Sequence, residues 1–204
     1  QTAAYGTKRT VNYVIDYILR SRGPLFTKAL LKKLQVRKSL FENDSERINN
    51  LFYVDLLEEF YPYSSEEEMF FIGLHSSTYH QNQAAIDKYK KLDRVSQIYE
   101  KLAADVGKDW DTNFHYCLKK LENSQCVIQI HDNQDVADAL KLQKLGSEKL
   151  EFVRIGLISS FARFGGVSLP RIKRTKNRHY GDDVTEYHLE FPEPKIIKNT
   201  SFIQ

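Results

Sequence analysis

Cysteine, methionine and tryptophan are scarce in this 204-residue chain: two Cys, one Met and one Trp. Cys117 and Cys126 cannot make a disulfide framework, and with no secretory leader in the sequence they fit a reducing compartment. Five prolines and nine glycines leave little room for long irregular loops, so regular structure should be extensive. No apolar run approaches the roughly 20 residues of a membrane-spanning helix, and no membrane partner is expected. The phosphate-cradling G-x-x-x-x-G-K-[ST] loop, the G-x-S-x-G nucleophile turn and the H-E-x-x-H zinc helix are all missing. The six histidines are scattered, and Gly165-Gly166 reads as a helix stop. The expectation is therefore a protein that is not an enzyme, with no catalytic residue, no cofactor and no metal.

Apolar residues make up 41% of the chain and aromatics 12%, enough for a packed core rather than a disordered chain. The net charge of +3 is mild, but it is segregated. Residues 17–41 carry seven basic side chains and no acid, whereas residues 42–68 carry nine acids against Arg47 alone. A third cluster holds Arg171, Lys173, Arg174, Lys176 and Arg178 within eight positions. Segregation of this kind suits distinct docking faces, although the first two blocks can also pair with each other.

The first half reads as successive helices. Thr10 caps a stripe of Val11, Val14, Ile15, Ile18 and Leu19 that ends at Gly23-Pro24. A second helix carries Leu30, Leu31 and Leu34, and a third Ile48, Leu51, Phe52, Leu56 and Phe60. Ser65 precedes Glu66-Glu67-Glu68, which places anions at a helix N-terminus, where they suit its dipole. The polar stretch 75–82 marks a boundary, and helices follow at 83–90 and 93–106. In the second half, Asp111 or Thr112 caps a helix with Phe114, Cys117, Leu118 and Leu121 inward. "CVIQI" (126–130) is a strand, and helices follow after Asp132-Asn133 and from Ser147. Two strands, about 167–172 and 184–191, flank a basic tip. In the second of them Tyr187, Leu189 and Phe191 face one way, and Glu186, His188 and Glu190 the other.

That order over 111–191, helix, strand, helix, turn at Leu145-Gly146-Ser147, helix and hairpin, resembles the winged-helix form of the helix-turn-helix. "VRIGLIS" also allows a strand from Leu157. The fold expected is mainly α, with a helical domain at 1–82, a winged-helix-like domain with a small β-hairpin at 83–191 and a tail at 192–204. The resemblance implies duplex DNA as partner, with the third helix toward the major groove and phosphates held by cations. The residues assigned to nucleic acid are Arg171, Lys173, Arg174, Lys176, Asn177 and Arg178 on the wing and Lys149 and Arg154 on the helix. The module would belong to a larger nuclear or chromosomal assembly and contact its other subunits. The alternative is a protein-docking scaffold, with Phe152, Ile155 and the Ile196-Ile197 tail as candidate contacts. Zinc held by His115, Cys117, Cys126 and His131 is disfavoured, since His115 and Cys117 point apart on a helix. Phe161, Phe164, Tyr187 and Phe191 read as core, and Trp110 as a pin between the halves.

Overall fold

The computed structural model describes residues 5–36, 47–106, 108, 111–122 and 124–192. Trp110 and the tail beyond residue 192 lie outside them. A short antiparallel pair, β1 (Tyr5–Thr7) and β2 (Arg47–Asn49), brackets α1 (Lys8–Lys33). Gly23, at φ 80° and ψ 172°, breaks α1 just before Pro24, where the sequence predicts a stop. Then come α2 (Asn50–Phe60), α3 (Glu66–His75), α4 (Gln83–Tyr89) and α5 (Val95–Asp105). The Ser65 hydroxyl accepts the Glu68 amide at the start of α3, and the three glutamates occupy the first turn.

The remainder is built on an antiparallel sheet in the order β3-β4-β6-β5. Its strands are β3 (Phe114–Leu121), β4 (Gln125–Asp132), β5 (Arg171–Lys176) and β6 (Thr185–Glu190). Between β4 and β5 lie α6 (Gln134–Leu140) and α7 (Glu148–Phe161). This corrects the mainly-α expectation: helices plus a four-stranded sheet make the class α+β. The segment read as a helix from Asp111 is the strand β3. Phe114, Tyr116 and Leu118 face the helices with a period of two. A bulge between Leu118 and Lys120 then brings Leu121 opposite Cys126. His115 and Cys117 consequently share the outer sheet face, while buried Cys126 lies on the inner one.

The core is one cluster running from Val11 to Phe191, with α7 at its centre. The helix α7 crosses α3 through two glycines. A Cβ on Gly73 would lie 2.0 Å from the Val153 carbonyl oxygen, and one on Gly156 would lie 1.9 Å from that of Phe70. Only bare Cα atoms allow the two backbones to close to this distance. Phe152 and Ile155, suggested as exposed docking residues, are partly buried and pack against the core. Phe161, Tyr187 and Phe191 are buried, and Phe164 packs against the same core through the Phe161 ring.

Candidate functional site

A cavity of about 340 Å³ lies beside α7. Leu150, Val153, Arg154, Leu157 and Phe161, one stripe at helical spacing, form its long wall. Thr10 and Tyr13 of α1, Tyr53 of α2, Ser76 and Ser77 after α3, Asn82, Ala84, Ile86 and Lys88 at α4, Val106, Asp111 and Tyr116 complete it. The lining is mostly apolar, with a small set of polar groups brought together from distant parts of the chain. The Tyr13 and Tyr53 hydroxyls hydrogen-bond to each other at 2.7 Å. Both feel the charges of Arg154 and Asp111. Burial holds these two phenols well above the ordinary range, and Tyr116 is pushed up to about 12 for the same reason.

Behind this wall lies a buried ionic network. Glu151 is 0% exposed, and Arg154 and Arg178 are each 2% exposed. Glu151 Oε1 accepts from Arg154 Nη1 at 2.6 Å and from Arg178 Nη2 at 3.0 Å, and its Oε2 accepts from the Tyr187 hydroxyl at 2.6 Å. Arg178 also pairs with Asp132 and donates to the Leu145 carbonyl at 2.7 Å. Both guanidinium groups lie over the Phe114 ring, Arg154 at 3.7 Å and Arg178 at 4.6 Å from its centroid. Desolvation alone would raise the Glu151 carboxyl, but Arg154, the His179 contact, Arg178 and Tyr187 outweigh it and hold the group well below the carboxylate range. Asp111 is shifted the other way: burial raises it, against the opposing pull of Arg154 and of two hydrogen bonds from Asn113.

The residues assigned to nucleic acid do not form a free cationic surface. Arg178 and Arg154 belong to the buried network just described. Arg174 donates to Glu148 at 2.6 Å and sits over the Phe152 ring. The Asn177 amide group donates to Glu148 at 2.7 Å, and its backbone N–H to Asp182 at 2.7 Å. Lys176 stands 3.8 Å from Glu186, Arg171 3.7 Å from Glu190 and Lys149 3.4 Å from Glu58. Lys173 alone of the eight, apart from the uncharged Asn177, has no ion pair among the described residues. The basic run lies along β5 itself rather than at a projecting tip, so the acids of β6 and α7 are within its reach. Part of the N-terminal basic block is answered in the same way, with Arg22 on Glu68 and Lys33 on Glu59.

Nothing in the spacing of the chain singles out the cavity groups Tyr13, Tyr53, Asp111 and Tyr116. Asp111 reads only as a candidate cap, and only the folding of α1, α2 and β3 onto α7 brings the four together. Among the described residues no group of three or more His, Cys, Asp or Glu side chains could hold a metal ion.

No protein-family model and no curated protein matches this sequence. Solved structures do match in fold. A substituted H-NOX protein from S. oneidensis in the Fe(II) state superposes with a TM-score of 0.70 at 13% identity, covering 92% of this chain and 97% of that one. The Fe(II)NO form of an S. oneidensis H-NOX protein gives 0.66 at 15% identity, with 90% and 98% covered. The unliganded Fe(II) H-NOX protein from K. algicida gives 0.67 at 8% identity, with 92% and 97% covered. H-NOX stands for heme-nitric oxide/oxygen binding. The likeness spans nearly the whole chain and overturns the winged-helix resemblance, and with it the DNA partner and the chromosomal assembly inferred from it. The physical reason is plain in the strand order: the supposed first helix of the winged helix is the edge strand of a four-stranded sheet.

A haem in this cavity would need an axial donor, and proteins supply His, Cys, Met or Tyr. None of the described residues that line the cavity is His, Cys or Met. His75 is bonded to Asp16 at 2.8 Å, His115 and His131 lie on the outer sheet face, and His179 stands beside Glu151. The tyrosines that do line the cavity are held as neutral phenols, and two of them are bonded to each other. The donor set does not fit an iron porphyrin. The chain shares the H-NOX fold, and among the described residues its cavity offers an iron porphyrin no axial donor other than neutral, buried phenols.

Proposed function

We propose that this chain is a small-molecule-binding domain that uses the H-NOX fold without iron, taking a compact and mostly apolar ligand directly into the cavity beside α7. The observation that carries this reading is the cavity itself: about 340 Å³, walled by one stripe of α7, with a few polar groups converging on an apolar lining. Ligand sites have this character, with volumes of roughly 300–1,000 Å³. The solved neighbours are described with NO and CO at Fe(II). Their likeness here is one of fold, and function resides in the site rather than the fold. The site supports a ligand held by packing and hydrogen bonds.

Titration with naphthalene, followed by calorimetry and NMR, tests this. The expected result is saturable one-to-one binding, lost in Val153→Phe and in Leu157→Trp, whose added bulk fills the cavity. Haemin should give no stoichiometric complex with a shifted Soret band. A one-to-one haemin complex with axial ligation, or naphthalene binding indifferent to both substitutions, would overturn the reading.

A further inference from the structure

The polar groups of the cavity narrow the class of ligand. Arg154 is buried and lines the cavity, and its Nη1 is committed to Glu151. Its Nη2 is buried and has no hydrogen-bond partner. Asp111 Oδ2 stands 3.9 Å from that nitrogen, beyond hydrogen-bond reach. Asp111 Oδ1 is occupied, accepting from the Asn113 backbone N–H at 3.1 Å and from the Asn113 side-chain amide at 2.5 Å. Buried donors in folded proteins are almost always satisfied, and each exception calls for an explanation. The two residues that hold this donor and this acceptor, Arg154 and Asp111, both line the cavity.

Charge decides what can enter. Arg154 and Arg178 are set among Glu151, Asp132 and Asp111, and every guanidinium already has a carboxylate partner. His179 approaches Glu151 as well, at 3.6 Å, and not the cavity. Lys88 lines the cavity but is exposed to water. An anionic ligand would therefore be desolvated beside Asp111 without an uncommitted buried cation to answer it, and burying an unpaired charge is strongly unfavourable. A purely apolar ligand would leave the Arg154 donor orphaned.

We propose that the cavity selects a neutral, largely apolar molecule whose one polar end carries an acceptor and a donor side by side, as in a carboxamide or a lactam. The acceptor takes the Arg154 Nη2 hydrogen, and the donor goes to Asp111 Oδ2. This rests on the reading of the cavity as a ligand site and adds the chemistry of the ligand to it.

Three near-isosteric probes decide the matter: naphthamide, naphthoate and methylnaphthalene, titrated into the full chain by calorimetry. The amide should bind at least about tenfold more tightly than either of the others. In Asp111→Ala the ratio of amide to methylnaphthalene affinity, measured within the variant, should fall from about tenfold to near one. Should Asp111→Ala fail to fold, the three-probe comparison on the unsubstituted chain decides alone. Naphthoate binding as tightly as the amide, or all three binding equally, overturns the proposal and leaves the cavity reading standing. Failure of all three to bind overturns both.

Discussion

Glu151 and Arg178, 27 positions apart, meet at 3.0 Å where neither side chain reaches water. One comes from the helix at the centre of the core and the other from the turn between β5 and β6. Their contact fastens the sheet's far hairpin to α7, with Arg154, Tyr187 and Asp132 completing the network. Such a network contributes specificity of arrangement more than net stability, but it punishes the loss of one member severely.

Glu151→Gln is expected to destabilise the fold by about 3–5 kcal/mol, because two buried guanidinium groups lose their shared carboxylate. Urea denaturation at neutral pH measures this. A loss under about 1 kcal/mol would mean that Arg154 and Arg178 are held by other groups.

Acid should weaken the fold through the same kind of group. Glu186 is lowered to about 2, chiefly by the hydrogen bond from Gln129, and Glu151 is held down as well. A depressed folded-state value means that the stabilisation is complete above the unfolded carboxyl value, about 4.3, and is lost as pH falls through the folded one. Unfolding free energy should therefore fall steadily from about pH 4 to pH 2, and Glu186→Gln should flatten the slope. A Glu186→Gln slope identical to that of the parent chain would contradict this assignment.

The Tyr13–Tyr53 pair lends itself to a double-mutant cycle. Each single change to Phe should lose about 1 kcal/mol, since it removes a hydrogen bond and strands a buried hydroxyl. The double change should lose clearly less than the sum, because it removes both polar atoms together. Strict additivity would show that the two hydroxyls do not depend on each other.

Gly156→Ala should be among the most damaging changes of a single methyl group in the chain. The new Cβ meets the Phe70 carbonyl, which belongs to backbone and cannot rotate away, so α3 and α7 must separate. Overpacking of this kind typically loses about 1–3 kcal/mol, read here as a shift in denaturation midpoint. A neutral outcome would mean that the two helices slide past each other freely.

Arg174→Ala and Lys173→Ala, neighbours in a run of like charge, should behave differently. Arg174 is half-buried, bonded to Glu148 and set over Phe152, so its loss should be worth about 1–3 kcal/mol. Lys173 is exposed, and its replacement should be close to neutral. Equal effects on thermal unfolding would contradict the burial described for Arg174.

Much of the local structure was legible in the chain. Ser65 with its three glutamates, the stop at Gly23-Pro24, the helices from Gln83 and from Ser147, and the alternation of Tyr187 and Leu189 all follow from capping and period. The segment after Asp111 misled for a specific reason. Its bulge after Leu118 spaces the inward residues 114, 116, 118 and 121, and 114, 118 and 121 also fit a helical stripe. Charged residues misled in a similar way. Glu151 and Arg154 look like the outer face of an amphipathic helix until partners arrive from Asp111, Arg178 and Tyr187 to cover them.

The sequence alone therefore settled where most helices begin and end and which face of β6 is apolar, because caps, turns and side-chain periods act within a few residues of one another. The tertiary structure decided that β3 is a strand, that most of the basic run is paired with acids, and that a cavity with an unsatisfied Arg154 donor lies beside α7. Those outcomes depend on side chains that are distant in the chain sharing one volume, and no local rule of spacing or charge encodes which of them will meet.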